Sequence, residues 1–385
     1  MKQTRRIKSL DLLKGIVIIL MALDHSRDFF HYQAFLHSPT DPTLSNLATF
    51  FTRWLTHLCA PAFSLLAGIS IFLSQQKKGK YHSSVFLLKR GIWLIFIEFT
   101  LVNFAWFFNP TFSYWAFLVI WVLGISMIIM AGLIHLPVKI MWFLSLGTLI
   151  FHNILDGLPE PTHLGAALWH HKFFQTLPGG DKILVGYPII PWFAVMSLGY
   201  CIGTFYKADF PPAKRKIILY RMGTGALLGF LVIRGLNGYG NVQHWKWHES
   251  LKVSMMDFLN LEKYPPSLSY LLVTLGMIFI LLALFENRSF PIFETFGKVP
   301  FLFYVLHLYF IHLLALIAAS LSGFGWKSMI LSSWVNDNKA LEGYGYSLFA
   351  VYLVTFIVVL ALYPICRKFH QYKKNYPDKK WLSYW

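Results

Sequence analysis

The residues of this chain best placed to do chemistry stand at the end of its first apolar run, in Asp24-His25-Ser26-Arg27-Asp28-Phe29-Phe30-His31. On a helix, Asp24, Arg27, Asp28 and His31 follow i, i+3, i+4 and i+7 and share one face. His25 lies about 100° round from Asp24 and one turn below Asp28, so Asp28 or a group on another helix can orient its imidazole. An imidazole can take a proton from an amine or hydroxyl, or carry an acyl group itself. Ionisable side chains inside an apolar segment are costly to insert, and they usually face an interior cavity. The plainer alternative is an ion-paired helix end dipping into the headgroup region. That accounts for Arg27, Asp28 and His31. It accounts less well for His25, which lies some 16 residues, about 24 Å at 1.5 Å per residue, above the start of the run.

A second polar cluster, Arg53-Trp54-Leu55-Thr56-His57, leads to Cys59-Ala60-Pro61. Arg53 and His57 are one turn apart, and the spacing sets them level with His31 at the mouth of a mixed-charge pocket. At the other end of the first run, Asp11 and Lys14 are i, i+3 and are expected to pair. Arg90 opens the third apolar run and Glu98 lies two turns inside it. His307, with Tyr304 one turn away, and His312 stand on a later apolar run. A lone histidine there is more often a hydrogen-bonded core residue, so His307 is the second candidate after His25. Lys263-Tyr264-Pro265-Pro266 breaks the chain before another run and reads as a lid or as a rigid turn. Asp24, His25, Asp28 and His31 have no recognised metal-ligand spacing, and no metal is expected. The three cysteines, Cys59, Cys201 and Cys366, are widely spaced and read as small core residues.

These groups need elements to hold them, and composition says which kind. Of 385 residues, 56% are hydrophobic and only 13% charged, and the mean hydropathy is +0.53. A soluble domain carries about 25% charged residues. Half that charge cannot cover a water-facing surface, whereas lipid accepts apolar side chains on the outside of a fold. Runs of roughly 20 apolar residues predict helices near 9–31, 54–75, 84–108, 114–133, 137–155, 187–206, 217–236, 266–285, 298–321 and 345–366. The expectation is an all-α integral membrane protein, a polytopic bundle of about ten transmembrane helices in one domain over 1–385. The first run is too long for a signal peptide and lacks a cleavage site, so it is expected to stay.

The formal charge of +17 would suit a nucleic-acid partner, but its placement argues against one. Lys and Arg cluster at Lys2, Arg5, Arg6 and Lys8, between Lys77 and Arg90, between Lys207 and Arg221, and from Arg367 to Lys380. Each cluster flanks an apolar run. With the N-terminus inside, the outer segments hold ten cations (Arg27, Arg53, Lys172, Lys182, Arg234, Lys246, Lys252, Lys263, Lys327, Lys339), which leaves 24 of the 34 inside. The positive-inside rule therefore predicts both termini on the cytoplasmic side. Four outer loops follow, roughly 32–53, 156–186, 237–265 and 322–344. Runs such as Trp169-His170-His171 and His244-Trp245-Lys246-Trp247-His248 suit an aromatic belt at the bilayer surface, or a surface on which sugar rings stack.

Several motifs in order carry a family likeness over nearly the whole chain. They are Ser9-Leu10-Asp11-x-x-Lys14-Gly15, Asp24-His25-x-Arg27-Asp28-Phe29-Phe30-His31, and Phe51-Thr52-Arg53-Trp54-Leu55-Thr56-His57-x-Cys59-Ala60-Pro61. Gly186-Tyr187-Pro188-Ile189-Ile190-Pro191-Trp192, Phe258-Leu259-Asn260-x-x-Lys263-Tyr264-Pro265-Pro266-Ser267-Leu268 and Tyr304-x-x-His307-Leu308-x-x-x-His312 continue it. The chain resembles bacterial members of the heparan-alpha-glucosaminide N-acetyltransferase catalytic-domain family, within the transmembrane acyltransferase superfamily. The superfamily pattern of a basic residue, ten intervening residues and a catalytic histidine falls on Lys14 and His25. The usual basic residue is Arg, so Lys14 is a departure. The heparan sulfate glucosamine of the family's name is not carried over.

The resemblance implies that acetyl-CoA is the donor, used from the cytoplasmic side, with the acetyl group delivered to an acceptor on the other side. His25 would then be catalytic, supported by Asp24 and Asp28, as general base in a ternary complex or as the acetyl carrier. Lys14 and Arg90 are the expected cofactor-side cations, since they can pair with CoA phosphates. Arg27, His31, Arg53, His57, Lys263 and His307 are the expected acceptor-side residues. The acceptor bears an amine or hydroxyl, with an amino sugar or envelope glycan as its class. The location implied is the lipid bilayer of a bacterial inner membrane, and a homodimer is compatible with it. The rival from another class is a proton-coupled transporter of a small polar solute, using Asp24, His25 and Glu98. Such a transporter is expected to show repeat-related broken helices, and none is visible.

Overall fold

The computed structural model of the chain describes residues 7–385, so Lys2, Arg5 and Arg6 lie outside the described residues. The α-helices in chain order are α1 Lys8–Phe30, α2 Leu47–Leu55, α3 Cys59–Lys78, α4 Lys80–Ile97, α5 Asn103–Phe107, α6 Val119–Leu133, α7 Val138–Phe151 and α8 Leu164–His170. They continue with α9 Ile189–Ile202, α10 Pro212–Leu236, α11 Leu251–Leu259, α12 Leu268–Leu284, α13 Pro291–Lys298, α14 Pro300–Leu321 and α15 Leu348–Asn375. The architecture is that of an all-α membrane protein. Local chemistry sets several boundaries. Proline opens α10, α13 and α14, where its missing N–H costs no intrahelical bond. Asn46 and Ser267 accept from the N–H groups of Thr49 and Tyr270 and so cap α2 and α12. Gly79 at φ +78° ends α3.

Among the described residues, six helical segments are long and apolar enough by themselves to cross a bilayer: Leu47–Lys78, Val138–Gly157, Ile189–Tyr206, Pro212–Leu236, Pro300–Leu321 and Leu348–Asn375. Val119–Leu133 and Leu268–Leu284 are apolar but shorter. Helix α1 has 23 residues but carries Asp11, Lys14, Asp24, Arg27 and Asp28. Its neighbours explain how it can. It packs against α3, α13, α14 and α15, with Leu12, Leu13, Val17, Ile18, Ala22 and Phe29 buried. Asp11, Asp24 and Arg27 are buried, and Lys14 and Asp28 line cavities. Large apolar side chains are exposed instead on α7 (Phe143), α10 (Val232) and α15 (Phe349), where acyl chains can cover them.

Glycines allow the helices to touch. A Cβ on Gly15 would lie 1.8 Å from the Phe293 carbonyl oxygen, and one on Gly297 would lie 1.8 Å from that of Asp11, so α1 and α13 meet backbone to backbone. Gly68 and Gly199 do the same for α3 and α9, where added Cβ atoms would meet the Met196 and Leu65 carbonyls at 1.9 and 2.1 Å. Close approach through small residues is how membrane helices gain packing without a hydrophobic driving force.

The run expected as one helix over 114–133 departs from that reading. Tyr114–Phe117 is a strand, β1, and only Val119–Leu133 is helical. β1 pairs in parallel with β3 (Lys182–Val185), which pairs antiparallel with β2 (Phe173–Thr176), giving the order β1-β3-β2. The aromatic sequence Tyr-Trp-Ala-Phe suits a half-buried strand, and the long segment after α7 folds back to supply its partners.

Candidate functional site

Helix α1 carries a chain of ion pairs near its C-terminal end. Arg27 Nη2 donates to Asp24 Oδ1 at 3.0 Å and to Asp28 Oδ1 at 2.6 Å. Arg53, near the end of α2, brings Nη1 to both oxygens of Asp24, at 3.2 and 3.1 Å, and to Thr56 Oγ1 at 2.8 Å. Asp24 therefore sits between two guanidinium groups and is buried with Arg27. A buried charge needs such partners.

His25 stands beside this network. Its Nδ1 is 3.6 Å from Asp28 Oδ2, a charge contact longer than a hydrogen bond, and it has no hydrogen-bond partner among the described residues. Trp106 of α5 meets its ring edge-on at 4.6 Å between centroids, and His307 of α14 lies 5.2 Å away at 32°. His307 Nδ1 is 3.0 Å from the Phe303 carbonyl oxygen. A carbonyl only accepts, so Nδ1 carries the hydrogen and Nε2 of the neutral ring has a lone pair. That Nε2 is buried and has no hydrogen-bond partner among the described residues. His312 is different. Its two nitrogens lie 2.8 Å from the carbonyls of Ala105 and Met329, which ties α14 to α5 and to the segment after α14.

Asp24, His25, Arg27 and Asp28 line an upper cavity of about 1090 Å³ together with Arg53, His57 and Lys263. Trp106, Phe174, Tyr187, Tyr264 and Trp334 give it an aromatic wall. Lys263 is buried, with Nζ 5.2 Å from the Tyr264 ring centroid and 6.0 Å from that of Tyr187. Burial pushes the Tyr264 phenol up, but the Lys263 and Arg53 cations beside it bring it below its ordinary value. His57 packs on Tyr270 at 5.2 Å, and its carbonyl accepts from the Tyr270 hydroxyl at 2.7 Å.

A lower cavity of about 360 Å³ opens near the other end of α1. Lys14 and Arg90 line it, and Lys14 Nζ donates to Ser70 Oγ at 3.1 Å. Met21, Val119 and Tyr304 line both cavities. Met21 is one helical turn below His25 and two turns above Lys14, so the two cavities share a wall beside the imidazole. The Glu98 carboxylate braces that wall. Glu98 is fully buried in a π-helical turn, Glu98–Val102, and its Oε2 accepts from the Trp121 N–H at 2.6 Å. The bond satisfies a free amide in the first turn of α6, the helix that begins at Val119.

His31 departs from its expected position. Helix α1 ends at Phe30, and His31 is extended at φ −82°, ψ 120°. The turn takes its side chain off the Asp24–Arg27–Asp28 face. His31 is buried in a bridge with Tyr346 and does not line the upper cavity. Arg53 is level with Asp24, one turn or more deeper than the expected level of His31. His307 lies behind His25, outside both cavity linings. The sequence reading missed Trp106, Trp334, Lys373 and Trp385. Nothing in their spacing marks them, because long-range folding brings them to the cavities.

The family model for "Heparan-alpha-glucosaminide N-acetyltransferase, catalytic" matches residues 6–235, more than half of the chain. The match includes Lys14, the Asp24–Asp28 cluster, Arg53, His57, Arg90 and Glu98; Lys263, Tyr304 and His307 lie beyond it. No curated protein matches the chain.

Proposed function

The chain belongs to the heparan-alpha-glucosaminide N-acetyltransferase catalytic-domain family, and on that premise we propose that it carries an acetyl group from acetyl-CoA in the lower cavity to an acceptor in the upper one. The family points to a membrane acetyltransferase. The donor, the sidedness and the residue roles are our reading. What supports it best is the pair of cavities that share Met21, Val119 and Tyr304 beside His25.

In this reading residues 1–385 form one domain with both termini cytoplasmic, and the lower cavity opens to the cytoplasm. Lys14 and Arg90 hold donor phosphates there. The acceptor is an amine or hydroxyl of a carbohydrate, an amino sugar or envelope glycan, packed on the aromatic wall of the upper cavity and held by Arg27, Arg53, His57 and Lys263. His25 takes the acceptor's proton as the acceptor nitrogen or oxygen attacks the thioester carbon. The carbon–sulfur bond breaks, and the proton passes to the departing thiolate. Asp28 orients His25, and Asp24 fixes the two arginines. A route through acetyl-His25 uses the same atoms in two steps. His307 is the neighbouring imidazole that orients His25 or takes its place.

The purified full chain should bind acetyl-CoA and CoA saturably, with an affinity that falls as salt screens the phosphate pairs. Adding a panel of amino sugars should release CoA from acetyl-CoA. Absence of CoA binding up to millimolar concentration would end this reading and favour a transporter.

A further inference from the structure

The segment that follows α15 lies outside the family match and folds back onto the lower cavity. Residues Lys380–Tyr384 make a short 3-10 turn, and Ser383 and Trp385 line the cavity beside Arg90 and Lys373. The Arg90 guanidinium donates to the Ser383 carbonyl, and Lys373 Nζ donates to the Trp385 backbone oxygen at 2.9 Å. Aromatic contacts anchor the turn. The Trp385 ring is 5.5 Å from Trp93 and 5.4 Å from Phe301, and Tyr384 is 5.8 Å from Phe86 and 5.7 Å from Trp93. Leu382 is buried, while Trp381 is exposed.

Two cations on different helices, Arg90 on α4 and Lys373 on α15, thus meet backbone oxygens of one six-residue segment at one cavity. The Ser383 carbonyl that Arg90 meets is a neutral acceptor. A phosphate oxygen offers Arg90 a charge-assisted bond, roughly twice as strong. We infer that residues 380–385 are a strap over the donor cavity, which holds Arg90 and Lys373 in place and is displaced when donor phosphates take those two cations. The inference rests on the donor reading above and adds Lys373 to the phosphate-binding pair. It also makes the aromatic anchor, chiefly Trp385, a brake on donor entry. Displacement costs the ring contacts of Trp385 and Tyr384, so weakening them should favour the donor-bound state.

The test uses the full chain in detergent, with CoA and with 3′,5′-ADP, which carries phosphates without the thiol arm. Trp385→Ala should bind CoA about tenfold tighter than the unaltered chain, while Trp385→Phe, which keeps an aromatic anchor, should stay near it. Lys373→Gln should bind more weakly and with a shallower salt dependence. In the unaltered chain, saturating CoA or 3′,5′-ADP should speed hydrogen exchange of the amides of 381–385. Unchanged or weaker CoA binding by Trp385→Ala, with exchange unchanged or slowed by CoA, would overturn the strap and leave the donor reading standing. If neither the unaltered chain nor Trp385→Ala binds CoA, the donor reading falls and the strap falls with it.

Discussion

Arg53 at the end of α2 reaches both carboxylate oxygens of Asp24 on α1, at 3.2 and 3.1 Å, while Arg27 holds the same carboxylate from its own helix. The arrangement places one buried anion between two buried or half-buried cations. Removing the anion leaves the two guanidinium groups facing each other with no negative charge between them, and breaking a buried pair typically costs about 3–5 kcal/mol. Asp24→Asn should therefore lower thermal stability in detergent well below that of Asp28→Asn, since Asp28 meets only one of the arginines at hydrogen-bond distance. Equal melting of the two variants would mean that the pairs do not hold α1 to α2.

A second expectation concerns Glu98. Its Oε2 accepts the Trp121 N–H at the start of α6, and Val119 two residues earlier lies in the wall shared by both cavities. Glu98→Ala leaves a buried amide without a partner, a loss of about 1–3 kcal/mol, and frees the first turn of α6. Turnover should fall several-fold with CoA affinity little changed. Glu98→Gln keeps an oxygen that can accept the bond and should recover most of the turnover. A Gln variant as impaired as Ala would point to the charge itself, as in a proton relay.

The membrane-protein class was legible because apolar runs of bilayer length need no tertiary information to be read, and the Asp24–Asp28 cluster was legible because local spacing puts it on α1. Position beyond the helix end was not. His31 has the right spacing for the shared face, but the backbone turns extended at that residue and buries it against Tyr346. The strand at Tyr114–Phe117 was read as helix because its partner, Lys182–Val185, lies more than sixty residues away. Trp106, Lys373 and Trp385 were invisible for the same reason: each joins a cavity wall only once distant helices have packed.

Packing itself makes a third prediction. An alanine at Gly68 would drive Cβ to 1.9 Å from the Met196 carbonyl oxygen, whereas Gly132 on α6 has nothing within 4 Å of an added Cβ. Gly68→Ala should separate α3 from α9 and lower both folded yield and melting temperature. Gly132→Ala should be neutral or slightly stabilising, since alanine in a helix gains roughly 0.5–1 kcal/mol over glycine. Matching losses for both would show that helix propensity, and not contact, sets the response.

Topology can be checked independently of chemistry. On the proposed ten-span topology 24 of 34 Lys and Arg lie on one side, and the positive-inside rule then expects the tail after α15 in the cytoplasm and the loop 237–265 outside. Reporter fusions after Lys380 and within 237–265 should label from opposite faces. Labelling of both from one face would rule out the arrangement of ten spans with cytoplasmic termini.

The last prediction separates the two imidazoles. His25 lines the upper cavity one turn above the shared wall, whereas His307 lies behind it, 5.2 Å away, with Nδ1 bound to the Phe303 carbonyl and Nε2 unpartnered. In the proposed reading His25 is the ring that the acceptor touches, and His307 packs against it from behind. Removing a general base typically costs 10² to 10⁴ in rate, roughly 3 to 5 kcal/mol of transition-state stabilisation. His25→Ala should lose at least that much turnover while still folding and binding CoA. Asp28→Asn, which leaves the base but loosens its orientation, should keep reduced but measurable activity. His307→Gln can still donate one hydrogen bond and fill much of the same space, so its loss should be smaller than that of His25→Ala. The assay is CoA release with a panel of amino sugars, scored beside CoA affinity and melting temperature for each variant. Near-normal turnover in His25→Ala, together with its loss in a folded His307→Gln, would move the chemistry from α1 to α14.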